Sequence, residues 1–120
     1  MNLPRRIITG LAASTMAAGL LVGTAEVAGA AASGDYTGTG VNIRTGPFTN
    51  RTSKGQGNPG DRLTATCLAV NGTPVNGNTG WFRHTNSRTG RFGYSSAEFI
   101  GISSGSFDVR NFPDAPCTPA

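Results

Sequence analysis

Between residues 41 and 100 the chain alternates apolar and polar positions in short runs, and glycine, proline or asparagine cuts off each run within a few residues. In Val41-Asn42-Ile43-Arg44 the two apolar side chains fall on one side of an extended segment and the two polar ones on the other, which predicts a strand with one face in a core and one in water. Thr45-Gly46-Pro47 ends it, because proline lacks the N–H a sheet ladder needs and glycine takes backbone angles closed to other residues. Leu63-Thr64-Ala65-Thr66-Cys67 repeats the alternation, with Leu63, Ala65 and Cys67 on one face. Leu68 and Val70 then take the opposite phase, which predicts a bulge or bend near Cys67. Asn71-Gly72 is a tight-turn signal, and Asn76-Gly77 and Thr79-Gly80 continue an irregular hairpin loop. Trp81-Phe82-Arg83-His84-Thr85 and Arg91-Phe92-Gly93-Tyr94-Ser95 are the next strands, and Glu98-Phe99-Ile100 closes the set. About five short strands joined by glycine turns predict an all-β domain, a small barrel or sandwich.

The segments around this pattern read differently. Residues 33–39 form a flexible lead-in that holds Tyr36. From Thr49 to Gly60 the chain is polar and carries Gly55-Gln56-Gly57-Asn58-Pro59-Gly60, which reads as a long loop suited to function rather than a packed element. Residues 102–120 hold Ile102, Phe107, Val109 and Phe112 before Pro113, Pro116 and Cys117, and so read as a tail strapped over the domain. Internal repeats are absent from the sequence.

The N-terminal residues 1–32 have the layout of a secretory signal peptide: a basic head with Arg5 and Arg6, an apolar stretch over residues 7–22, and small-residue cleavage patterns at Ala28-Gly29-Ala30 and Ala30-Ala31-Ala32. The apolar stretch is interrupted by Gly10 and Gly19 and is shorter than the ~20 residues that span a bilayer, so a secreted, extracellular protein without a membrane span is expected. The paired arginines raise twin-arginine export, but their surroundings fit general secretion better. Removal of residues 1–32 leaves about 88 residues. A domain of that size buries roughly 60% of its unfolded surface and gains from a covalent staple. Cys67 and Cys117 are the only cysteines and both lie in the exported part, where disulfides persist. Two free thiols are the alternative; a metal site would need ligands that two cysteines and the lone His84 do not supply at a recognisable spacing. The mature part carries eight Lys or Arg and five Asp or Glu, a modest basic excess that suits an ordinary secreted surface or a wall-associated polyanion. The scattered arginines and the lack of a recognition helix speak against nucleic-acid binding.

Taken together, residues 40–101 resemble the bacterial SH3-like (SH3b) domain. The resemblance rests on the apolar-Asn-apolar-Arg-small-Gly-Pro opening of Val41 to Pro47, the Gly60-Asp61-Arg62-Leu63 entry to an apolar strand, Trp81-Phe82, and the closing run Gly93-Tyr94-Ser95-Ser96-Ala97-Glu98-Phe99-Ile100. Tyr94-Ser95 departs from the usual closing Trp-Val, and the segment between Cys67 and Trp81 is longer than usual. Cys67 and the tail to Cys117 look more like small secreted SH3-like proteins of actinobacterial type than the targeting modules of large hydrolases. The resemblance implies a partly open barrel of about five strands that binds cell-wall peptide or peptidoglycan.

Catalysis is not expected. His84 could serve as base beside Ser95 or Ser96 with Asp61 or Asp108 behind it, but the spacing predicts no such meeting, and its alternation with Phe82 predicts a half-exposed surface histidine. No cofactor or metal is implied, and a monomer is expected. For binding, the candidates are the aromatic residues Trp81, Tyr94, Phe48 and Tyr36, whose faces suit extended peptides or sugar rings, and Asn42, Arg44 and Arg51, which would fix polar groups. Phe82, Phe92, Phe99 and Ile100 read as core, while Trp81 points away from Phe82 and is the aromatic expected to be exposed. The alternative to a wall binder is a secreted interaction factor, such as a protease inhibitor, that acts through the loop from Thr49 to Gly60.

Overall fold

The computed structural model describes residues 31–113. Within them the chain is all-β, with strands β1 (Ala32–Tyr36), β2 (Val41–Arg44), β3 (Ser53–Gly57), β4 (Leu63–Ala69), β5 (Trp81–Asn86), β6 (Phe92–Ser96), β7 (Ile100–Gly105) and β8 (Asp108–Arg110). A short 3-10 turn, Ala97–Phe99, links β6 to β7, and the Ser96 hydroxyl caps it by accepting from the Glu98 N–H. The strands form one open sheet in the order β3-β2-β6-β5-β4-β1-β7, antiparallel throughout that path. β8 runs parallel to β4 off the path, with Cys67 opposite Asp108 and Ala69 opposite Arg110.

Eight strands rather than about five are described, and each extra strand has a physical cause. Residues 33–39 do not form a flexible lead-in. Ala32 and Tyr36 alternate into the core as part of β1, and Gly34 lets the β7 backbone approach so closely that a Cβ would meet the Gly101 carbonyl. Ala32, the last residue assigned to the leader, is therefore buried and paired with Ala65. The polar loop from Thr49 to Gly60 contains β3, paired along β2 from Val41↔Gly57 to Arg44↔Ser53. Gly57, read as loop punctuation, serves close packing instead: a Cβ there would run into the Tyr36 ring, whereas Gly60 keeps a turn role, with φ of 97° and open space around it. The rest of that loop is tied down by acids. Asp35 accepts from the N–H groups of Gly60 and Arg62, and Asp61 accepts from the Asn58 N–H.

The bulge falls one residue before Cys67. Ala65 pairs with His84 and Cys67 with Arg83, so Thr66 is the inserted residue. Leu63 and Ala65 pack with Tyr36, Val41, Phe82 and Ile100 in one core cluster, to which Leu68 is added, whereas Cys67 and Ala69 join Trp81 and Tyr94 in a second. Adjacent residues on a strand face opposite ways. The split between Trp81 and Phe82 therefore puts the two clusters on opposite faces of the sheet.

The second face is roofed by the tail and by residues 70–80. β8 occupies the edge of β4 beyond the stretch that β1 pairs. Phe112 meets both Phe48 at 5.6 Å and Tyr94 at 5.9 Å, whereas Phe107 stays with the first cluster, edge-on to Phe82 at 4.9 Å. The Asn71 side chain grips the tail by donating to the Phe112 carbonyl at 2.8 Å and accepting from its N–H at 2.9 Å. Among the described residues no cysteine is free. Cys117, the expected partner of Cys67, lies outside the described residues, as does most of the leader.

Candidate functional site

Residues 37–40, the turn after β2, the hairpin loop after β4 and the 3-10 turn surround a groove of about 310 Å³. Its apolar lining comes from Val41, Val75, Trp81 and Phe99, and its polar lining includes Asn42, Thr49 and Ser96. Each part has a local reason to be there. Asn76-Gly77 both adopt positive φ, 51° and 81°, which makes a tight reversal and pairs Val75 with Asn78. That reversal delivers Val75 to the rim, whereas Asn71, read from sequence as a turn residue, instead holds the tail. Thr73 donates its N–H to the Pro47 carbonyl, which joins the two loops that wall the groove.

Trp81 is not exposed: only 2% of its surface is accessible. Its Nε1 donates to the Thr73 carbonyl at 2.9 Å, and Gly72 lies against the indole so closely that a Cβ there would clash with both the ring and the Pro47 carbonyl. The long connection between Cys67 and Trp81 causes this, since it folds back over the face from which the tryptophan projects. Trp81 thus contributes an edge to the groove floor rather than a free aromatic face.

Of the seven candidate binding residues, Asn42, Arg44 and Trp81 meet at this groove. Asn42 also accepts from the Ser53 hydroxyl at 3.0 Å, and Arg44 donates from Nη1 to the Arg51 carbonyl at 2.9 Å, so both side chains brace the loop after β2. Arg51 lies 5.0 Å over the Phe48 ring, a cation–π pair beside the groove. Tyr36 is core, 2% exposed, and burial pushes its phenol up to about 12. Tyr94 is buried on the tail side, where burial raises its phenol as well. Val75 and Ser96 were missed from sequence; only the Asn-Gly pair after Val75 signals that this loop carries a shaped tip. Phe99, read as core, is half-buried and shared between the first cluster and the groove. Phe92, also read as core, is 38% exposed.

His84 and Ser95 do meet, against expectation, but in the interior. His84 is 1% exposed and Ser95 fully buried, with 3.5 Å between Nε2 and the hydroxyl oxygen. The Ser95 hydroxyl donates to the Asn42 carbonyl at 2.7 Å, and Tyr36 rather than a carboxylate contacts Nε2, at 2.9 Å. Burial pulls the imidazole down to about 4, only partly offset by the Phe82 carbonyl. The surface position expected for His84 fails because Phe82 and His84 are both covered, by the first cluster and by Tyr36 of β1 respectively. Asp61 is engaged elsewhere, with Arg88 at 2.6 Å and Asn86 at 3.1 Å, contacts that hold its carboxyl down at about 2. Asp108 sits on β8 opposite Cys67. A serine with no open surface and a histidine without a carboxylate partner form a packing cluster rather than an accessible nucleophile.

Among the described residues no three His, Cys, Asp or Glu side chains group as metal ligands. None of the described helices is long and apolar enough to cross a membrane. In comparisons with protein-family models, curated proteins and solved structures, no family, protein or structure matches the chain.

Proposed function

We propose that the protein is a secreted, non-catalytic SH3-like binding module, a partly open barrel in character, whose groove takes an extended peptide segment of cell-wall material. The observation that carries this reading is the groove itself: a concave, largely apolar trough walled by loops, with polar groups at Asn42, Thr49 and Ser96 spaced along it. The segments behind the family resemblance support it by position. Val41 to Arg44 forms β2, Trp81-Phe82 opens β5, and residues 93–100 run through β6 and the 3-10 turn into β7, so three of the four motif segments converge on the groove. His84 and Ser95, the side chains a nucleophile-and-base arrangement would use, are buried.

Cosedimentation with purified cell walls tests the reading. The protein should pellet with walls, and Thr39→Arg or Thr49→Arg, both at exposed rim positions, should lower binding at least tenfold while the melting temperature stays put. Protein left wholly in the supernatant at low salt, or rim variants that bind as well as the parent, would refute it. A partner-binding factor is the second reading, favoured by β3, which ends the strand order and leaves one backbone edge unpaired among the described strands. Recovery of a protein partner that is lost on Gln56→Pro, with wall binding absent, would favour it.

A further inference from the structure

On the face that carries Trp81 and Tyr94, Arg83 is the next residue of β5 in the same phase as Trp81, directly opposite Tyr94 of β6. Its guanidinium carbon lies 4.3 Å from the centre of the Phe92 ring, and Lys54 Nζ, arriving from β3, lies 5.3 Å from the same centre. Two cations from different strands thus converge on one aromatic ring that is itself 38% exposed. Arg83, Lys54, Phe92, Tyr94 and Phe112 border a second hollow of about 250 Å³. Among the described residues no carboxylate lines it. The ion pair seen among the described residues, Asp61 with Arg88, involves neither cation. Arg83 Nη1 is shielded from water and has no hydrogen-bond partner among the described residues. A buried guanidinium N–H without an acceptor is an uncompensated loss of hydration, and a second positive charge in the same hollow adds repulsion. An oxyanion would relieve both.

We propose that this hollow binds a phosphate group, carried as a phosphate monoester. A monoester holds about −1.5 to −2 charges at neutral pH, which matches one arginine and one lysine, where a carboxylate would leave one cation unbalanced. Its oxygens can accept from the guanidinium fork while Lys54 supplies a point charge from the side, and Phe92 keeps both cations in place by contact with its ring. The hollow is larger than a bare phosphate, so the esterified group lies along Phe112 and Pro113. The site is separate from the Trp81 groove and does not depend on the wall-peptide reading.

The test is titration of the purified protein with glycerol phosphate, inorganic phosphate and acetate at low ionic strength, followed through the aromatic NMR resonances of Phe92 and Tyr94. Saturable shifts with glycerol phosphate, weakened by added sodium chloride and at least tenfold weaker for acetate, are expected. Arg83→Gln should abolish them. Lys54→Gln, on the exposed edge strand, should weaken them about tenfold with an unchanged melting curve, which keeps the test decisive if Arg83→Gln fails to fold. Thr39→Arg should leave them intact. Equal affinity for ester and inorganic phosphate would support the oxyanion site with free phosphate as its ligand. Absence of saturation, equal response to acetate, or unaltered binding in Lys54→Gln would overturn the proposal.

Discussion

His84 makes the fold sensitive to mild acid, and the size of the effect follows from its surroundings. Nδ1 lies 3.0 Å from the Phe82 carbonyl, which can only accept, so Nδ1 carries the proton and Nε2 accepts from the Tyr36 hydroxyl at 2.9 Å. Protonation of Nε2 places a charge in a site 1% exposed and forces the Tyr36 hydroxyl to turn away. The imidazole therefore titrates at about 4 in the folded protein against 6.5 when unfolded. Between those values the unfolded chain binds more protons than the folded one, so stability falls as pH drops through 6.5 and levels off below 4. With 1.36 kcal/mol for each pH unit, the loss reaches about 2 kcal/mol at pH 5 and about 3 kcal/mol at its limit. Asp61, held down at about 2, loses its contribution only as pH falls from near 3.8 through 2, so it stays outside this window. Urea denaturation at pH 7, 6 and 5, read by the fluorescence of the single tryptophan, measures the slope. His84→Gln should start less stable at pH 7 and then stay level down to pH 5. A parent protein with equal stability at pH 7 and pH 5, or a variant that keeps the parent's slope, would refute the reasoning.

Three further outcomes are expected. Trp81→Ala should cost about 3–5 kcal/mol of stability, because the indole is 2% exposed and bonded through Nε1, and calorimetry that found the fold intact would return Trp81 to the surface. Asn71→Ala removes both side-chain bonds to Phe112 and should cost about 1–2 kcal/mol, seen as faster hydrogen exchange at the Phe112 amide with exchange in β5 little changed. On the proposed secretion, N-terminal sequencing of the mature protein should begin at Ala31: cleavage after Ala30 keeps β1 whole, whereas cleavage after Ala32 would remove a residue that is 1% exposed and paired with Ala65 and Gly105.

What the sequence made legible was the set of strands whose side chains alternate strongly, and what it hid was pairing decided by backbone. Val41 to Arg44 and the first part of β4, Leu63 to Cys67, announce themselves by apolar residues at period two, and β5 by its aromatic pair Trp81-Phe82. β3 reads Ser-Lys-Gly-Gln-Gly and carries no apolar signal at all; it forms because Gly57 fits the Tyr36 ring and because β2 needs an antiparallel partner. β1 is hidden for the same reason, since Ala32 and Gly34 are small where the neighbouring backbone approaches. At the groove, Asn42, Arg44 and Trp81 were legible as residue types. The burial of Trp81 was not, because it depends on how the connection over residues 70–80 folds back over the sheet.

The position of one bulge residue has the widest consequence. With Thr66 as the inserted residue, its hydroxyl is left buried and without a partner among the described residues, while Cys67 and Ala69 turn to the face of Trp81 and Tyr94. Had the bulge come after Cys67, that cysteine would face Leu63 and Phe82 in the first cluster, away from the strap. Placed as it is, Cys67 shares a cluster with Phe112 and pairs across β8 with Asp108. A bridge to Cys117 requires a cysteine on the side where the tail runs, and closure of a loop of about fifty residues would contribute about 4 kcal/mol. The same change of phase lets the tail roof the second face, brings Phe112 against Tyr94 and so builds the wall of the hollow that holds Arg83. A mass for the unreduced protein equal to that of two free thiols would refute the bridge.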